Sequence, residues 1–149
     1  MDYSKNRERM ERASALMAMA GVDLWLIVTS EASDPCLPAV TGVHTVGPGA
    51  FAVARDGTRY ALCSRIDAQD IEESGLFASV IRYADGLAPA LAELVASLKP
   101  ARIALNYSEG DPFCDGLTVG RMRWLRKTLD PVFAGEYVPS EPFLSELRG

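Results

Sequence analysis

The sequence predicts a single α/β domain built on a mixed sheet, and three features carry that expectation. Leu24-Trp25-Leu26-Ile27-Val28 is apolar at every position, as suits a central strand covered on both faces. The pair Asp56-Gly57 separates two apolar runs, Phe51–Arg55 and Arg59–Cys63, and tolerates the positive φ angles of a tight hairpin turn. From Ser64 onward, helical stripes alternate with short strand-like runs. Alternation with crossover helices requires parallel pairing, and the hairpin adds an antiparallel section.

The elements follow in order. Met10, Ala13, Met17 and Ala20 recur at helical spacing over 7–20, with Gly21 placed as a C-terminal cap. After the first strand comes a Pro- and Gly-rich loop from Pro35 to Pro48, with a short helix starting at Asp34-Pro35. Beyond the hairpin, Ser64 is placed to cap an acidic helix, with Asp67 three residues on as in a capping box. That helix ends near Gly75, and Ser79–Tyr83 reads as a strand. Leu87, Leu91, Leu94, Val95 and Leu98 form a stripe stopped by Pro100, and Arg102–Asn106 is the next strand. Asp111-Pro112 reads as a helix start, and Thr118, Met122, Leu125 and Leu129 as the apolar stripe of the helix that follows. A short strand around Tyr137 and a last turn over 142–147 close the chain. Residues 1–149 thus read as one domain, without repeats or an interior linker.

Composition narrows the function classes. The 149 residues are 48% hydrophobic and 23% charged, with 15 basic against 20 acidic residues and a net charge of -5. Nucleic-acid binders usually present a basic surface, so no nucleic acid is expected as a partner. Cys36, Cys63 and Cys114 form no CxxC pair and are odd in number, which fits free buried thiols in a reducing cytoplasm better than a secreted scaffold. Asp2, Glu8 and Glu11 interrupt the basic start that a signal peptide requires. The longest uncharged stretch, 35–54, contains three prolines and would break a lipid-exposed helix, so no membrane association is expected.

Motifs for chemistry are scarce. There is no GxGxxG, Walker or GxSxG sequence, and Gly47-Pro48-Gly49 reads as a turn because proline removes a phosphate-binding donor. Glu109, Asp111 and Asp115 share one loop but lack the regular spacing of a calcium loop, and Asp111 reads as a cap. His44 has no second histidine with which to make a metal pair. Trp124 lies two positions from Met122 and so points away from the apolar stripe, on a face carrying Arg121, Arg123, Arg126 and Lys127. It either lies under the stems of Arg121 or Lys127 or anchors an interface, and the interface is the favoured reading for Trp124 and Arg121.

Several segments taken together look familiar. Met17-Ala18-Met19-Ala20-Gly21-Val22-Asp23, Val40-Thr41-Gly42, Arg55-Asp56-Gly57-Thr58-Arg59-Tyr60, Ile103-Ala104-Leu105-Asn106 and Glu141-Pro142 through Gly149 occur in a characteristic order. The chain resembles the N-terminal domain of the Xaa-Pro aminopeptidase, prolidase and creatinase family of metallohydrolases. Where that family's Tyr-Leu-Thr-Gly signature usually carries Asn and Tyr, this chain has Cys36 and Ala39.

The resemblance implies a three-layer domain of about six strands with helices on both faces and a ribonuclease H-like motif. It also implies that catalysis belongs to a half lying beyond Gly149. Two divalent ions (manganese, cobalt or zinc) would sit there on two Asp, one His and two Glu. This chain would then hold no catalytic residue, cofactor or metal ligand. Its partners would be the catalytic domain of the same polypeptide and further copies in a homo-oligomer. Thr41 and His44, in the loop after the first strand, are the expected substrate-facing residues. Other function classes stay open: a stand-alone small-molecule or protein-binding module, or a self-contained carboxylate-metal hydrolase.

Overall fold

The computed structural model describes residues 2–31 and 33–148. Its elements are α1 (Ser4–Met19), β1 (Leu24–Thr29), α2 (Cys36–Thr41), β2 (Gly49–Ala54), β3 (Arg59–Cys63), α3 (Arg65–Ser74), β4 (Ser79–Arg82), α4 (Leu87–Leu98), β5 (Arg102–Leu105), α5 (Val119–Leu129), β6 (Glu136–Pro139) and α6 (Glu141–Arg148), with a 3-10 turn at Pro112–Cys114. The strands form one sheet in the order β4-β3-β2-β1-β5-β6. β2 is antiparallel to both neighbours, while β3–β4, β1–β5 and β5–β6 are parallel. This is the mixed six-stranded α/β fold that the sequence implied.

β1 is buried at all six positions because both faces of the sheet are covered. Trp25 and Ile27 point into a core shared with Met10, Met17, Leu37, Ile71 and Phe143, from α1, α2, α3 and α6. Leu24, Leu26 and Val28 point into a second core with Leu91, Val95, Leu125 and Leu129, from α4 and α5. The period-2 alternation of a strand therefore assigns each helix to a layer. In the hairpin only Gly57 takes a positive φ, 93°, and the Asp56 carboxylate accepts the Thr58 N–H.

Three local expectations are corrected. Ser64 does not close a capping box: its hydroxyl donates to the Asp67 carboxylate, which turns instead toward the backbone of the loop before β2. Thr118 is not part of the apolar stripe but the N-cap of α5, accepting the Arg121 N–H. Asp111-Pro112 starts only the 3-10 turn, where Asp111 caps Phe113.

All three cysteines are buried, and none forms a disulfide. Burial, with help from the nearby Asp34 carboxylate, pushes the Cys36 thiol well above its ordinary range. Burial and Asp67 push Cys63 up to about 11. The thiolate is the reactive form, so the native protein at pH 8 should release no colour from a thiol reagent, and the denatured protein three equivalents. A fast-reacting equivalent in the native state would mean that one cysteine is not held in the core.

Candidate functional site

Five of the six strands run the same way, so the segments that follow β1, β5 and β6 and the one that precedes β2 gather at one end of the sheet. Ligands of open α/β sheets bind outside the carboxyl ends of strands. Local chemistry fixes each loop there.

The Thr29 hydroxyl accepts the Asp34 N–H, and one Asp34 oxygen caps α2 by accepting from Cys36 and Leu37. At the other end of α2, Thr41 donates to the Leu37 carbonyl and accepts from Val43, while Gly42 turns the chain at φ 73°. Thr41 is wholly buried in doing so. It positions the turn, and His44 is the member of the pair that reaches the surface. Beyond His44, Asp67 accepts the Val46 and Gly47 N–H groups at 2.9 and 3.0 Å. The histidine therefore sits on a short bridge pinned at both ends. It lines an open groove of about 370 Å³ with Tyr3, Gly42, Val43, Asp70 and Glu73.

A second groove, about 660 Å³, lies beyond β5 and β6 and holds Tyr107, Ser108, Glu109, Asp111 and Glu141. Two of its acids are engaged locally: Asp111 caps Phe113, and Glu141 accepts the Ser108 hydroxyl, while Asp115 nearby accepts the Ser108 N–H. Among the described residues no group of three His, Cys, Asp or Glu side chains is placed to hold a metal ion.

Between the two grooves lies a buried polar knot. The Asn106 carbonyl oxygen accepts from Trp25 Nε1 at 2.8 Å and from the Ser140 hydroxyl at 2.6 Å. Its amide donates to Asp34 Oδ2 at 2.9 Å and to Cys36 Sγ at 3.0 Å. Each of the five residues is at most 1% exposed. The knot ties β1, α2, β5 and the start of α6 together, and through α2 it fixes where His44 stands.

Trp124 is half-buried rather than turned outward. It packs on the edge of the α4–α5 core, with the Arg121 guanidinium 5.0 Å from its ring centroid. A position flanking the stripe on a short helix still reaches the sheet side when the side chain is as long as tryptophan. Residues Asp70, Glu73 and Tyr3 of the His44 groove and Ser140 of the knot carried no sequence signal that set them apart, and Asn106 stood out only as the end of the Ile103–Asn106 segment.

No family model matches the sequence, and no curated protein matches it by sequence. Solved structures do match. An Xaa-Pro dipeptidase from Bacillus anthracis superposes with TM-score 0.70 at 15% identity over 96% of this chain and 36% of its own. The creatinase/prolidase N-terminal domain of an X-Pro dipeptidase from Streptococcus pyogenes gives 0.67 at 13%, over 94% of this chain and 98% of its own. The fold is that of the creatinase/prolidase N-terminal domain. The N-terminal domain of the cytoplasmic peptidase PepQ from Mycobacterium tuberculosis H37Rv gives 0.68 at 17% identity, over 95% and 98%. The chain thus spans about a third of the Bacillus protein and nearly all of the two separately solved N-terminal domains. Among the described residues no helix is long and apolar enough to cross a membrane.

Proposed function

We propose that the chain works as a non-catalytic N-terminal domain of a prolidase-type metallopeptidase, self-associating and helping to wall an active site carried by a catalytic half. The observation that supports this best is the end-to-end superposition on N-terminal domains solved on their own. In this reading the two-metal chemistry belongs to the catalytic half. The chain's own contribution is geometric: the pinned His44 bridge presents an imidazole at the sheet's carboxyl end, and the exposed basic side of α5, with Arg123, Arg126 and Lys127, is offered to a partner. The protein works in the cytoplasm, where its three thiols stay reduced.

Purified protein with manganese, cobalt or zinc should release no proline from Xaa-Pro dipeptides. Chelator-sensitive turnover would overturn the accessory role, because a two-metal site needs bridging carboxylates held together. The His44 groove, lined by a histidine and two carboxylates, favours one other reading, a stand-alone binding module. Submillimolar binding of a small ligand in that groove, without turnover and with no self-association, is the result that would favour it.

A further inference from the structure

The helices α3 and α5 carry matching exposed stripes of opposite charge. On α3, Ile66, Asp70 and Glu73 stand at i, i+4 and i+7, and all three are exposed. On α5, Val119, Arg123 and Arg126 repeat that spacing, again all exposed. Residues at these intervals share one face of a helix. Ile66 and Val119 are 79% and 70% exposed, so each stripe opens on an uncovered aliphatic side chain.

None of these charges is paired with an opposite charge among the described residues, although the Arg126 guanidinium lies 5.1 Å from the Tyr137 ring centroid. Between Asp115 and Asp130 the sequence has four basic residues and no acidic one, in a protein of net charge -5. Among the described residues none of Arg121, Arg123, Arg126 and Lys127 lies within 4 Å of a carboxylate, and Asp70 and Glu73 have no cationic partner. Next to Val119, a Cβ added at Gly120 would meet nothing within 4 Å. The α5 backbone is therefore open to close approach. Because α3 packs on one face of the sheet and α5 on the other, one molecule cannot bring its own two stripes together.

We propose that the Ile66–Asp70–Glu73 stripe of one copy docks on the Val119–Arg123–Arg126 stripe of a second copy. The contact gives a surface to the self-association proposed above and rests on that reading. Laid side by side in the same direction, the helices set Ile66 on Val119, Asp70 opposite Arg123 and Glu73 opposite Arg126. Such a contact is head-to-tail: a pair of copies still leaves one acidic and one basic stripe free, so assembly continues beyond the dimer or closes as a ring. Two helix faces make a small interface steered by charge, hence weak and salt-sensitive. The screening length falls from about 10 Å at 0.1 M salt to about 3 Å at 1 M.

Sedimentation velocity across a concentration series tests this. In low salt the weight-average mass should rise past the dimer, and in high salt it should fall to that of the monomer. Asp70→Arg and Arg123→Glu should each weaken association at least about tenfold, since opposed like charges are costly at an interface. The double variant should associate again through the exchanged pair. Both sites are exposed, and circular dichroism checks that each variant folds. Association indifferent to the single reversals, or a folded double variant that stays monomeric, overturns this contact alone. Wild-type protein monomeric under all conditions overturns both the contact and the self-association reading. A monomer that binds heparin through α5 instead marks that face as a polyanion site and equally overturns the proposal.

Discussion

Asn106→Ala should lower stability by about 3–5 kcal/mol, a large share of the roughly 5–15 kcal/mol that holds a domain of this size. The loss comes from the partners rather than from the deleted side chain. Trp25 Nε1, the Ser140 hydroxyl and one Asp34 oxygen each face Asn106 at 2.6–2.9 Å, and all are buried. Leaving a buried polar group without a partner costs about 1–3 kcal/mol, and more for a charged one. For a chain of about 150 residues that loss lowers the thermal midpoint by roughly 10 °C or more. Urea unfolding of the variant measures it directly. A change below about 1 kcal/mol would mean that the knot is not closed as described. Ser97→Ala is a suitable control, because the Ser97 hydroxyl donates only to Leu94 within its own helix.

The same knot marks the limit of what the sequence disclosed. Elements were legible where local physics decides them. β1 announces itself because a strand buried on both faces is apolar throughout, the hairpin because Asp-Gly suits a tight turn, and α4 because five aliphatic residues repeat at helical spacing. Contacts across the chain were not legible. Asn106 stands 72 residues from Asp34 and 81 from Trp25, and they meet only because β5 lies parallel to β1. Asp67 shows the same limit on a smaller scale. A serine followed three residues later by an acid has the spacing of a capping box, yet two free N–H groups at Val46 and Gly47, 21 and 20 residues away, draw the carboxylate across the loop. The two expected site residues are not equivalent in the structure: Thr41 is buried and His44 exposed. Thr41 is short enough to fold back on its own helix, and His44 follows the glycine that turns the chain outward.

Gly116→Ala should be nearly as costly as losing Asn106, and the cost should nearly disappear once the Asp34 carboxylate is gone. A Cβ on Gly116 would overlap Asp34 Oδ2, with Cγ 2.6 Å and Cα 3.1 Å away. Asp34 cannot swing aside cheaply, because one of its oxygens holds two α2 N–H groups and the other holds Asn106. The wild-type background should therefore register about 3 kcal/mol for the added methyl, typical of an overpacked buried site. Asp34→Ala by itself should also be costly, since it uncaps α2 and frees the Asn106 amide. With the carboxylate removed, the two closest of these atoms are gone and the Cα of residue 34 stays at 3.1 Å, an approach that a shift of a few tenths of an ångström relieves. The double variant should then be scarcely less stable than Asp34→Ala alone. A double-mutant cycle by urea unfolding gives the coupling, expected at about 2–3 kcal/mol, within the range for residues that touch directly. Strict additivity would show that the loop carrying Gly116 does not press on Asp34. In that case the α2 cap and the His44 bridge beyond it would be positioned without help from the loop after β5.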